Sequence, residues 1–216
     1  MNRFAFLLVI LTSSFFSSLQ AAPTLETDKN TFIGTGNIEL FTIEFPNDPM
    51  TWESDSFISA ISEDRNKGYE LKYIPQKEKQ ANGYITVDSY GYTSYPEHFK
   101  EDPAVWIDFS SKSQEELVRD IYFLRSIFLQ VGPEIIAAEL EIPIDHVITE
   151  LNLLQKDSLQ MIEMSIELLT PVVIDDETLS STYETIIVSP KNIYFLNSFE
   201  TTRQEHRDFV NTFQVQ

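Results

Sequence analysis

The sequence predicts an α+β domain in which an antiparallel β-sheet is covered by a central helix and a C-terminal helix. Three observations predict it. Several segments alternate apolar and polar residues with the period of a half-buried strand. Two segments repeat apolar residues at three and four, each behind a Ser/Thr–x–x–Glu capping box. The order is strands, helix, strands, helix, which suits helices packed on an antiparallel sheet rather than a βαβ array.

The elements follow in chain order. Asn37 to Phe45 alternates, with Glu39, Phe41, Ile43 and Phe45 on one face, and Pro46-Asn47-Asp48-Pro49 stops it. Phe57 to Ser62 is a second β-leaning run. Tyr69 to Ile74 alternates again, with Tyr84 to Tyr92 expected as its hairpin partner across the polar turn 77–83. Residues 93–111 read as a Pro-punctuated loop with a short strand at Val105–Phe109. Ser113 and Glu116 open the main helix, and Leu117, Ile121, Leu124, Phe128 and Val131 form its buried stripe. Gly132 and Pro133 are expected to end it, with a second short helix over Glu134 to Leu140.

Val147 to Leu154 fits either a helix or a strand. The strict alternation of Ser158 to Leu168 favours two strands joined near Gln155-Lys156-Asp157. Thr182 to Val188 and Asn192 to Phe199 are strands about a Ser189-Pro190-Lys191 turn. Thr202 and Glu205 cap a closing helix whose inner side carries His206, Phe209, Val210 and Phe213.

Composition bounds the function. The 216 residues carry 15 Lys+Arg against 34 Asp+Glu, a formal charge of −19, which argues against affinity built on neutralising nucleic-acid phosphates. The absence of Cys excludes disulfides, thiolate metal sites and a cysteine nucleophile. A hydrophobic content of 42% with 16 Phe is enough for a packed core rather than disorder.

Residues 1–21 read as a secretory signal: Arg3, the apolar run Phe4 to Leu11, then small residues ending at Ala21-Ala22. Cleavage after Ala21 is expected, leaving a flexible tail over 22–36 and one domain over 37–216. The apolar run is too short for a membrane anchor. With no Cys at the cut, a lipid anchor is excluded. An exported protein, periplasmic or secreted and of bacterial type, without stable membrane insertion after signal removal, is the expectation.

Phe45-Pro46 followed by Trp52, a central helix and meander, and the closing Ile193-Tyr194-Phe195-Leu196 strand before a helix ending at Thr212-Phe213 resemble the PsbP-like superfamily. That superfamily includes photosystem accessory proteins, a nuclear-import factor and bacterial envelope proteins of the DcrB type. The resemblance spans roughly residues 37–215 in order of elements. It implies a partner-binding role with no shared catalytic site, and it carries over no functional residue.

Chemistry-bearing motifs are sparse. His98, His146 and His206 lack metal-ligand spacing, and no P-loop, nucleophile elbow or dinucleotide turn is present. No cofactor, catalytic or metal residue is assigned. His206 reads as a core or surface histidine. The clusters Glu97–Asp102 and Asp175-Asp176-Glu177 could offer oxygen ligands to calcium but lack the loop pattern of a calcium hand. Tyr84, Tyr90, Tyr92, Tyr95 and Phe99 form the candidate partner surface, since amphipathic rings at this density are favoured at interfaces. The leading expectation is a non-enzymatic domain that binds another protein. A secreted hydrolase with a carboxylate site and a calcium-responsive module are the alternatives.

Overall fold

The structure is a computed structural model that describes residues 24–26, 31–34, 40–46, 57–61, 67–75, 85–88, 91–93, 106–107, 112–174, 177–190 and 192–216. It is α+β, with antiparallel strands throughout the described residues. Strands β1 (Thr24–Glu26), β2 (Thr31–Gly34) and β3 (Phe41–Glu44) form a small sheet with β13 (Gln214–Val215), in the order β1-β2-β3-β13. The main sheet contains β4 (Phe57–Ile61), β5 (Gly68–Pro75), β9 (Val147–Lys156), β10 (Leu159–Ile174), β11 (Glu177–Val188) and β12 (Asn192–Phe199), ordered β4-β5-β12-β11-β10-β9. A third sheet joins β6 (Ile85–Asp88), β7 (Gly91–Thr93) and β8 (Trp106–Ile107) in the order β7-β6-β8. The helices are α1 (Gln114–Leu140) and α2 (Arg203–Thr212), with a 3-10 turn at Ile144–His146.

The two helices lie on opposite faces of the main sheet, not on one. Strand parity separates the faces. Ile162, Ile186, Val188, Ile193 and Phe195 point to α1 and pack with Leu117, Val118, Ile121 and Leu124. Their sequence neighbours Met161, Ile187, Tyr194 and Leu196 point the other way, with Leu71 and Tyr69. There they meet Phe209, Val210 and Phe213 from the α2 end of the chain and Phe41, Ile43 and Phe45 from the small sheet. Phe213 stands at the centre of an aromatic cluster, 4.7 Å from Tyr194 and 5.9 Å from Phe41 between ring centroids. Alternation had suggested one covered face. β12 is instead buried at every position from Asn192 to Ser198, as a central strand covered on both faces must be.

Both capping boxes form. Ser113 Oγ accepts from the Glu116 amide and Glu116 accepts from the Ser113 amide at 2.8 Å. Thr202 and Glu205 do the same for α2. α1 runs through Gly132 and Pro133, correcting the expected break. Pro133 removes one internal hydrogen bond and crowds the carbonyl four residues earlier, so it bends a helix that packing sustains. The halves Gln114–Ile127 and Leu129–Leu140 meet at 41°. The left-handed cap falls instead on Glu141, with φ 56°. Val131, expected in the buried stripe, is exposed to solvent.

Further differences concern pairing. Val147–Lys156 is a strand, as the alternation favoured, but the turn to β10 is the two residues Asp157-Ser158 rather than Gln155-Lys156-Asp157. β6 is not the hairpin partner of β5. It joins β7 and β8, while β5 lies between β4 and β12. The segment 22–36, expected as a tail, supplies β1 and β2, and β13 was not anticipated. These strands are short, and pairing rather than local patterning defines them: β2 and β13 flank β3, and β1 adds to β2. Gly68 pairs with Phe199, and a Cβ on Gly68 would stand 2.0 Å from the Phe199 ring, so this closest approach requires glycine.

Candidate functional site

On the α2 face the inward side chains of β11 and β12 include Tyr183, Thr185 and Ser198, because they share parity with Ile187 and Leu196. His206 on α2 drops among them and is fully buried. Its Nε2 lies 2.8 Å from Thr185 Oγ1 and its Nδ1 lies 2.9 Å from Ser198 Oγ. Ser198 Oγ is 2.8 Å from Thr201 Oγ1, and the Tyr183 ring stacks on the imidazole at 5.5 Å. Burial pushes the imidazole pKa down to about 4, the Glu163 carboxylate opposing and Arg207 assisting. A serine bonded to a histidine invites comparison with a nucleophile and its base. With both ring nitrogens engaged and no exposed surface, this pair instead fastens α2 to the sheet.

Around this centre, cations on α2 meet acids on the sheet. Arg207 bonds both oxygens of Glu163, at 3.0 and 2.6 Å. Burial pushes the Glu163 carboxyl up, but the Arg207 hydrogen bonds and charge outweigh it and hold it below the usual range. Arg203 reaches Glu150 at 2.5 Å and Glu167 at 2.7 Å. α2 has no basic residue in its own last turn, and Lys156 supplies the missing cation, donating to the carbonyls of Asn211 and Phe213 at 2.8 and 3.2 Å.

On the α1 face, register aligns Glu184 of β11, Asn197 of β12 and Glu70 of β5 across three neighbouring strands, all buried. Arg125 descends from α1 and donates to Glu184 at 2.8 Å, itself only 2% exposed. Glu163 and Glu184 therefore lie on opposite faces, each bonded to an arginine, and they do not converge on one reacting atom. No group of three His, Cys, Asp or Glu among the described residues is arranged to hold a metal ion. No single described helix is long and apolar enough to cross a membrane; the two bent halves of α1 together would be, by length and composition, and the first half buries its apolar stripe against the sheet.

Two surface features remain. Beyond Leu168 on β10 and Thr182 on β11 the β10–β11 hairpin outruns both β9 and β12. At its base the β10 residues 168–171 stand opposite Ser180 alone, and Glu200 anchors Ser180 through its amide and hydroxyl at 2.8 and 2.7 Å. Leu169 and Val173 on this ribbon are 59% and 67% exposed. The second feature is β9, an outer strand of the main sheet carrying Leu153 at 60% exposure.

Tyr84, Tyr90, Tyr95 and Phe99 lie outside the described residues, as do His98 and the cluster 97–102. Tyr92 lies in β7 opposite Val87. Asp175 and Asp176 also lie outside the described residues, and Glu177 begins β11. His146 sits on the 3-10 turn. The Arg125–Glu184 pair and the Ser198–His206–Thr185 cluster were not anticipated as units. For the first a signal existed: Glu184 alternates with Ile186 and Val188, and Arg125 follows Ile121 by one turn. No model of a known protein family matches the chain, and no curated protein matches it.

Proposed function

We propose that this chain is an exported, non-enzymatic domain that binds another protein of the cell envelope or secreted fraction. One observation carries the reading: a strand ribbon that leaves the sheet, is braced at its base by Glu200, and holds Leu169 and Val173 out to water. Apolar side chains held out on a braced projection cost solubility, and a partner that covers them removes that cost. Export is inferred from the signal-like residues 1–21, and the resemblance to PsbP-like proteins favours the same partner-binding role. The acidic surface favours a partner with a basic face. The buried histidine and arginine clusters support a structural rather than a chemical role for those groups.

The test is affinity capture from the source cells with the purified protein as bait, beside a Leu169→Asp/Val173→Asp variant and a Tyr90→Ser/Tyr92→Ser/Tyr95→Ser variant. A partner lost with the ribbon variant at unchanged melting temperature supports the reading. Identical capture by all three proteins rejects both surfaces. A gain in melting temperature on adding calcium would favour the calcium-responsive alternative.

A further inference from the structure

We infer that β9 is a self-association edge, on which a second copy of this chain adds its own β9 antiparallel across a two-fold axis. The inference is independent of the ribbon. The two-residue turn Asp157-Ser158 makes Lys156 and Leu159 the closing hydrogen-bonded pair of the β9–β10 hairpin. Pairs then alternate, so Leu154, Asn152, Glu150 and Ile148 exchange bonds with β10. Thr149, Leu151, Leu153 and Gln155 therefore turn their amides and carbonyls to the open side. No described strand pairs there.

Among the described residues, β9 itself carries none of the usual sequence protections of an edge. β9 runs ten residues in unbroken register with β10, without Pro, Gly or a bulge. Its two charges, Glu150 and Lys156, both lie on the α2 face, where Arg203 and the Asn211 and Phe213 carbonyls hold them. Leu153 points outward on the opposite face.

The strand is also complementary to itself. A two-fold axis normal to the sheet keeps faces matched, so residues of like parity pair. With the axis at Leu153, Leu153 meets its own copy, Leu151 meets Gln155, Asn152 meets Leu154, and Glu150 meets Lys156 at both ends. Moving the axis one residue to Asn152 sets both charges against apolar residues. Moving it three residues back, to Glu150, sets Glu150 against Glu150. Only the Leu153 register sets an acid opposite a base, and it forms about six new backbone hydrogen bonds between copies.

Sedimentation equilibrium of the purified protein tests this, with Leu153→Pro as the decisive variant. The Leu153 amide faces outward, so proline there removes a bond between copies and none within the β9–β10 ladder. The expected result is a concentration-dependent dimer, strengthened by salt because each copy carries −19, whose dissociation constant rises at least tenfold in Leu153→Pro with an unchanged circular dichroism spectrum. If the proline variant fails to fold, Leu153→Lys gives the same reading. Because the chain has no Cys, Leu153→Cys introduces a single thiol, and it should oxidise to a disulfide-linked dimer faster than Leu169→Cys. A monomer at all accessible concentrations overturns the inference. So does a dimer indifferent to both Leu153 variants, or faster crosslinking through Leu169. A monomer whose edge instead captures a different protein, and loses it with Leu153→Pro, also overturns it.

Discussion

Acid should loosen this protein in a window set by one side chain. His206 is held neutral, with a folded pKa of about 4 against about 6.5 for an unperturbed imidazole. Because the folded value is the lower one, the unfolded chain takes up the proton first as pH falls. Stability contributed by the neutral imidazole is thus complete above about pH 6.5, declines through the interval, and is gone below about pH 4. At 1.36 kcal/mol per pKa unit the full loss is about 3 kcal/mol, of which about 2 kcal/mol falls between pH 6.5 and 5. That upper part of the window isolates His206, because unfolded carboxylates titrate near 4 and contribute their own acid loss only below it. The assay is urea unfolding at half-unit steps from pH 7.5 to 4.5, beside His206→Gln, which keeps an amide donor and acceptor but does not titrate. The wild type should lose stability with a slope of about 1.2 kcal/mol per pH unit between pH 6 and 5, and the variant should lose much less there. Equal slopes, or a His206 imidazole NMR signal, assigned by its loss in His206→Gln, that titrates near pH 6.5 in the folded protein, would refute the reasoning.

Further substitutions probe the two faces. Arg125→Met leaves the Glu184 carboxylate buried under α1 without its guanidinium, and should cost about 3–5 kcal/mol by urea unfolding, with Glu184→Gln restoring part of it in the double variant. Gly68→Ala drives a methyl into the Phe199 ring and should cost about 1–3 kcal/mol, relieved when Phe199→Leu is added. Lys156→Met removes the cation from the C-terminal end of α2 and should cost about 0.5–1 kcal/mol, a difference that shrinks when the melt is repeated at high salt.

What sequence patterning exposed was local. The capping boxes at Ser113 and Thr202, the alternation of Leu159 to Leu168, and the span Asn192 to Phe199 all rest on contacts within a few residues, and each is found. What it concealed was which element meets which. The hydrophobic period of β12 says that it is a strand; only the placement of α1 and α2 on opposite faces explains why both its parities are apolar. The Gly132-Pro133 step carries a strong stop signal, which continued packing of α1 on the sheet overrides. His206 was visible on the inner side of α2, but its partners Thr185 and Ser198 come from strands whose order had first to be known. The aromatic surface of Tyr84, Tyr90, Tyr95 and Phe99 remains a proposal from sequence, as it falls outside the described residues.

The pairing of β5 with β12 and of β3 with β13 has a consequence for synthesis. The first strand of each pair leaves the ribosome well before its mate, with about 120 residues of chain separating β5 from β12. Until the last segment emerges, the N-terminal half is missing the neighbours that bury it, and closing so long a loop is slow. A nascent chain with this wiring stays pliable until β12 and β13 have been made, and a chain truncated before Gln214 lacks the strand that pairs with β3.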